Sequence, residues 1–170
     1  NVVVIPNGVT IPQWQSDPAA EPPSAVVIAN FHHYKGHDTL VESLALMPEK
    51  LPVRLCGVGA NVAGLLDRAK RLGVADLLTV VPPPADVPAE LRRAQIGVHP
   101  SRTEGLSNAI LEEMAAGLPL ACTDVGGARL QVADGSNGFL VPADDPPALA
   151  AALSRLAGDA DLRRTMGERS

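Results

Sequence analysis

Residues 104–120 have the sequence EGLSNAILEEMAAGLPL, and this stretch decides the fold that we expect. Its apolar residues recur with the i, i+3, i+4, i+7 spacing of one helical face, namely Leu111, Met114, Ala115 and Leu118. Ser107 or Asn108 can cap the helix, because a short side-chain oxygen accepts an otherwise unpaired amide proton. Gly117 suits the left-handed position at the helix end, and Pro119 cannot continue the helix. The pattern therefore predicts a helix that begins near Ser107 and ends at Gly117.

Two glutamates of this stretch are expected to face one crevice. Glu104 lies in the loop before the helix, whereas Glu112 lies within the helix. Helical side chains lean toward the N-terminus, so the Glu112 carboxylate should point back toward the loop of Glu104. Amides at a helix start favour anions, and carboxylates accept hydrogen bonds from hydroxyl groups. The crevice would therefore suit a ligand with both phosphate and hydroxyl groups.

Short apolar runs alternate with helical segments along the chain. The runs that we predict to be strands are Val2–Ile5, Ala25–Ala29, Val53–Cys56, Leu77–Val81, Ile96–Val98, Leu120–Cys122 and Gly138–Val141. This alternation predicts an α/β fold, a Rossmann-like three-layer sandwich with a parallel sheet of about six strands. In such sheets ligands bind outside the carboxyl ends of the strands. Lys35, Gly57, Gly126 and the segment 101–107 all follow predicted strand ends.

Length, composition and charge narrow the class of protein. The 170 residues suit one domain, 1–170, and the net charge of −5 argues against nucleic acid as a partner. Cys56 and Cys122 end apolar runs, which favours buried free thiols in a reducing, cytoplasmic compartment. We find no signal-peptide pattern, membrane-spanning run or metal-ligand spacing in the sequence. The first residue is not Met, so we expect a piece of a longer protein.

Lys35 and Gly36 stand between a predicted strand and a predicted helix. There, backbone amides and a flexible ammonium group can converge on a phosphate. On position alone, a solvated loop lysine explains Lys35 equally well. Farther along the chain, Gly57-Val58-Gly59 does not extend to a dinucleotide fingerprint, because the third glycine would stand at Val62.

The combined motifs resemble the group 1 retaining glycosyltransferases. The resemblance rests on the E-x7-E spacing of Glu104 and Glu112, Pro100-Ser101 before it, and Met114–Gly117 and Gly126-Gly127 after it. Those enzymes have the GT-B fold, in which two Rossmann-like halves face each other across a cleft. The resemblance implies that this chain is the C-terminal, nucleotide-sugar-binding half of such an enzyme. The N-terminal acceptor domain would be absent, so the chain alone should transfer no sugar.

The resemblance also implies roles for individual residues. Lys35 and Gly36 would hold the donor diphosphate, Gly57 would form a close-approach turn, and Glu112 would hold the ribose diol. Glu104 would be catalytic and would contact the hydroxyls of the transferred sugar. The amides assisting the diphosphate would belong to Gly105, Leu106 and Ser107. No metal or cofactor is implied, because Lys35 and these amides would neutralise the departing diphosphate.

The sequence departs from the family pattern at three positions, Asn30, Val58 and Leu130. These departures leave open a non-catalytic nucleotide-sugar-binding domain. Half of a sugar-nucleotide epimerase, which shares the two-domain fold, is the other function that stays open. The expected partners are a nucleotide sugar and the N-terminal domain of the same chain. The resemblance also leaves open a peripheral membrane association through that missing half.

Overall fold

The sheet is parallel throughout and has the order β3-β2-β1-β4-β5-β6. The computed structural model describes residues 7–83 and 85–170. Its strands are β1 Ala25–Ile28, β2 Val53–Cys56, β3 Leu78–Val81, β4 Ile96–His99, β5 Leu120–Thr123 and β6 Gly138–Val141. The predicted six-stranded parallel sheet is thereby confirmed. The predicted strand Val2–Ile5 lies outside the described residues.

Helices follow each strand. They are α1 His37–Leu46, α2 Val62–Arg71, α3 Val87–Arg93, α4 Asn108–Ala115, α5 Ala128–Gln131, α6 Pro146–Ala157 and α7 Ala160–Arg169. Short 3-10 turns over His33–Lys35 and Ala75–Leu77 precede α1 and β3. In the ranges 7–83 and 85–170, no helix is long and apolar enough to cross a membrane.

Both faces of the sheet are covered, as the three-layer prediction required. Val27 and Leu55 belong to a core cluster with the apolar faces of α1, α2 and α6. Val26, between two residues of that cluster, packs instead with Leu91 of α3 on the opposite face. Successive strand residues point to opposite faces, so a strand buried on both sides is a continuous apolar run. This burial explains why the strands are rich in Val, Leu and Ala.

The predicted ends of α4 are confirmed, and the face that the fold buries most fully is not the apolar face of the sequence pattern. The Ser107 hydroxyl accepts from the Ile110 amide, and Gly117 has a φ of 78°. The buried residues of the helix are Ile110 and Glu113, whereas Leu111 and Met114 are half-buried. Hydrophobic periodicity could not reveal this face, because a carboxylate occupies its centre.

Candidate functional site

Lys35 and Glu104 meet where the strand order reverses. The loop that carries Lys35 follows β1, and the loop that carries Glu104 follows β4. These two strands are neighbours in the sheet, and the strand order reverses between them. Lys35 Nζ lies 2.5 Å from Glu104 Oε1, and the Ser101 hydroxyl donates to the same oxygen at 2.9 Å. Carboxyl-end crevices at such a reversal are where open α/β sheets bind ligands. The tertiary fold thus joins two predicted site residues that are 69 positions apart.

A cavity of about 660 Å³ opens at this point, and we call it the switch-point cavity. Of the predicted site residues, those on its wall are Lys35, Gly57, Glu104, Leu106 and Ser107. Glu112 lies on the wall of a neighbouring cavity of about 530 Å³. The two cavities share Val87 and Asn108, so they adjoin along the first turn of α4. The expected single crevice is therefore two neighbouring spaces, with one glutamate on the wall of each.

Two glycines with left-handed backbone conformations let loops approach closely. Gly36 has a φ of 67°, and a Cβ there would lie 1.8 Å from the Pro100 carbonyl oxygen. Gly126 has a φ of 53°, and a Cβ there would lie 1.8 Å from the Glu104 carbonyl oxygen. A side chain at either position would separate these loops. Gly36, which is not on the cavity wall, thus serves the packing of the two loops, whereas Gly105 lies exposed on the Glu104 loop.

The start of α4 is fixed by a side chain that the sequence analysis missed. Gln131 is buried, its Oε1 accepts from the Ser107 amide at 3.2 Å, and its Nε2 donates to the Ser107 carbonyl at 2.8 Å. The Ser107 amide, which we expected to face a phosphate, is therefore bonded inside the protein. The amides of Gly105 and Leu106 remain the expected anion contacts in this loop.

Arg102 joins the two loops that form the cavity. Its guanidinium contacts both Asp38 oxygens at 2.9 Å, Asp144 at 2.8 Å and the His33 carbonyl at 2.6 Å. Burial raises the pKa of Asp38, but the hydrogen bonds and charge of Arg102 outweigh burial and leave that pKa below its ordinary value. Arg102 is thus committed to structural contacts, and a bound donor would have to displace them to recruit it.

A buried pair lies behind this loop. His99 Nε2 is 2.7 Å from Glu113 Oε2, and both side chains are almost fully enclosed. Burial raises the pKa of Glu113, while the neighbouring His99 acts in the opposite direction. The pair ties α4 to β4 directly beneath the Glu104 loop. His99 thus has a structural role in this position.

The remaining sequence features have structural explanations. Asn30 Oδ1 accepts from the Val58 amide at 3.1 Å, so this departure from the family pattern fastens the Gly57 loop. Leu130, another position that departs from the family pattern, has a side chain that is 85% exposed.

Cys56 and Cys122 are buried free thiols, as expected, and burial raises the pKa of Cys56 to about 11. Within the described ranges, no three His, Cys, Asp or Glu side chains are grouped to hold a metal ion.

The comparison with known families agrees with the motifs. A sequence model described as "Glycosyl transferases group 1" matches residues 22–159. This is more than half of the chain, and the chain therefore belongs to that family. A D-inositol 3-phosphate glycosyltransferase from Corynebacterium urealyticum is 32% identical over 154 residues, which cover 83% of this chain and 36% of the relative.

Solved structures share the fold. Sucrose-phosphate synthase from Thermosynechococcus elongatus superposes with a TM-score of 0.86 at 26% identity, over 97% of this chain and 45% of that one. Alr3699/HepE of Anabaena, crystallised with UDP-glucose, gives a TM-score of 0.81 at 25% identity, over 89% of this chain and 43% of that one. The chain spans about a third of the curated relative and less than half of each solved protein.

Proposed function

We propose that the chain is the donor-binding, C-terminal half of a retaining glycosyltransferase that uses a nucleotide-diphosphate sugar. The observation that carries this proposal is the Lys35–Glu104 pair at the sheet's reversal point. Family membership and the UDP-glucose complex of the HepE protein support it. Because the relatives are longer, we assign acceptor binding, and any peripheral membrane contact, to an N-terminal half outside this chain.

The two neighbouring cavities suit the two ends of such a donor. The Lys35 ammonium would turn from Glu104 to the diphosphate, a strong anion that offers several charge-assisted hydrogen bonds. The nucleoside would then extend past Val87 and Asn108 into the neighbouring cavity, where Glu112 can accept from ribose hydroxyls. The Glu104 carboxylate, released by Lys35 and still bonded by Ser101, would accept from hydroxyls of the sugar.

The charges of this arrangement match the charges that develop during glycosyl transfer. As the bond between sugar and phosphate breaks, negative charge grows on the diphosphate and positive charge on the sugar ring. Lys35 and the amides at the start of α4 would stabilise the first, and the Glu104 carboxylate would stabilise the second. We therefore propose catalysis without a metal or cofactor. The two buried free thiols support a reducing compartment, and we propose the cytoplasm.

Lys35→Ala tests the proposal directly. The substitution should weaken binding of UDP or another nucleoside diphosphate about 10- to 100-fold, and the matching monophosphate less, because the lost charge-assisted contacts belong to the outer phosphate. Titration calorimetry on the chain would measure both constants. Lys50→Ala is the matched control. Lys50 is exposed and precedes β2, so it lies at the amino ends of the strands, away from the cavity at their carboxyl ends. Equal weakening of both ligands would contradict the assignment to the outer phosphate, and unchanged affinities for both would identify Lys35 as a solvated lysine.

A further inference from the structure

Tyr34 is an exposed aromatic residue on the wall of the switch-point cavity. It stands beside two predicted site residues, Lys35 and Glu104, which lie on the same wall. Tyr34 is 44% exposed, and it belongs to none of the hydrophobic clusters that the described residues form. Core packing therefore does not explain an aromatic side chain at this position.

Neighbouring residues restrict the position of the Tyr34 ring. The ring stacks on His32, with the centroids 5.3 Å apart and 13° between the two planes. The Tyr34 carbonyl accepts from the Arg102 amide at 2.7 Å, which ties its backbone to the loop of Glu104. Because the ring is already ordered and still exposed, a ligand that packs on it loses little free energy in immobilising a side chain.

The ring lies at the end of the cavity where the proposed donor carries its sugar. Lys35 Nζ is 5.5 Å from the ring centroid and 2.5 Å from Glu104 Oε1, so ring, ammonium and carboxylate share one end of the cavity. In the proposed function Lys35 binds the outer phosphate, to which the sugar is directly bonded. The nucleoside extends elsewhere, past Val87 and Asn108.

An aromatic ring and a carboxylate together match the two kinds of surface that a pyranose sugar presents. Its hydroxyl groups can donate to the Glu104 carboxylate. Its C–H groups form an apolar face with a weakly positive surface, which suits the negative face of an aromatic ring. The positive charge that develops on the sugar during transfer also favours the face of such a ring.

We infer that Tyr34 is a sugar-binding residue of the donor site. Its ring packs against the C–H face of the transferred pyranose, while Glu104 binds the hydroxyls of the same sugar. This inference rests on the proposed function and adds a contact that discriminates a nucleotide sugar from the bare nucleotide. A nucleoside diphosphate without a sugar leaves the ring uncovered.

Calorimetry of the chain separates the contact with the sugar from the contacts with the nucleotide. UDP, ADP and GDP are titrated first, and the one that binds most tightly is compared with its glucose conjugate. Tyr34→Ala should weaken binding of the conjugate about 5- to 10-fold and binding of the nucleotide less than about twofold, because only the sugar packs on the ring. The retained affinity for the nucleotide would show that the variant is folded.

Tyr34→Phe is the matched control, because it keeps the ring and removes only the hydroxyl. Its affinities for both ligands should stay within about twofold of those of the unchanged chain. Equal weakening of both ligands by Tyr34→Ala would mean that the ring only holds Lys35, and unchanged affinity for the conjugate would mean that the ring does not contact the sugar. Either result would overturn the inference, as would equal losses in the Phe and Ala variants.

The proposed function is tested separately in the same titrations. If the unchanged chain binds none of the three nucleotides, or if Lys35→Ala binds them as tightly as the unchanged chain does, the proposed function fails and the inference fails with it. If nucleotide binding depends on Lys35 and the glucose conjugate is insensitive to Tyr34→Ala, only the inference about Tyr34 fails.

Discussion

The Glu104 carboxylate is held from two sides, by the Lys35 ammonium and the Ser101 hydroxyl. Ser101 is itself buried, and its carbonyl accepts from the Thr123 hydroxyl at 2.5 Å. Under the proposed function Lys35 turns to the diphosphate, and the buried Ser101 hydroxyl is the contact that keeps the Glu104 carboxylate in place as charge develops on the sugar. This is the arrangement that electrostatic stabilisation of a transition state requires.

Glu104→Gln should lower turnover of the full-length enzyme about 10²- to 10³-fold, because it removes a charge aimed at the transition state. Affinity of the chain for a nucleoside diphosphate should be maintained or increased, since Lys35 loses a competing partner. Steady-state kinetics and calorimetry would measure the two effects. A variant with normal turnover and reduced thermal stability would indicate that Glu104 only supports the start of α4.

Glu112→Gln should reduce the preference for ribonucleotides over 2′-deoxy analogues. A carboxylate can accept from both ribose hydroxyls, whereas the amide offers one acceptor oxygen. Calorimetry with UDP and 2′-deoxy-UDP would measure the ratio. The adjacent Glu113 is no suitable control, because it is fully buried against His99. An unchanged ratio would remove Glu112 from the ribose site.

At the scale of elements, one buried arginine forms the main polar connection between α7 and the rest of the molecule. Arg163 has no exposed surface, and it donates to the carbonyls of Pro18, Leu156 and Ala157 at 2.6–2.9 Å. It also contacts the half-exposed Glu21. One guanidinium group thereby joins the extended segment before β1 to the junction of α6 and α7.

Arg163→Gln should lower the free energy of unfolding by about 3 kcal/mol or more, because several buried carbonyls lose their donors. Guanidinium denaturation of the chain would measure this loss. Arg164→Gln is the control, since Arg164 is the next residue of α7, is exposed, and pairs only with Asp161 among the described residues. We expect its unfolding free energy to change by less than about 0.5 kcal/mol. Similar losses in both variants would contradict the assigned role of Arg163.

At the scale of the whole molecule, one buried imidazole should make stability depend on pH. Burial lowers the pKa of His37 from 6.5 to about 4; Lys35 adds to this effect, while Asp38 and the Ala29 backbone oppose it. The unfolded chain therefore takes up a proton at higher pH than the folded chain does. The contribution of His37 to the free energy of unfolding is fully present above pH 6.5 and is lost as the pH falls toward 4.

The expected loss between pH 7 and pH 4 is about 3 kcal/mol, which is the free energy equivalent of that change in pKa. Denaturation in phosphate-free buffers should show that His37→Phe loses less stability than the unchanged chain over this interval. His33→Phe is the matched control, because His33 is an exposed histidine in the 3-10 turn that precedes α1. An identical pH dependence for His37→Phe and the unchanged chain would contradict the prediction.

Most of the fold could be predicted from the sequence because its signals are local. Apolar β-branched runs, capping residues such as Ser107 and helix-ending residues such as Gly117 act on their own neighbourhoods. Alternating strands and helices then leave a parallel sheet as the compact solution. The location of the candidate site was predictable as well, since residues that follow strand ends must gather at the carboxyl ends of the parallel strands.

The sequence by itself thus determined the layers, the sheet edge that carries the site, and the candidates Lys35 and Glu104. Only the tertiary structure decided that these two side chains pair, that Gln131 occupies the Ser107 amide, and that Glu112 faces a second, adjoining cavity. The physical reason is the separation along the sequence over which each kind of interaction acts. Helix and strand formation depend on residues a few positions apart, whereas side-chain pairing depends on distances that chain folding alone creates between loops far apart in sequence.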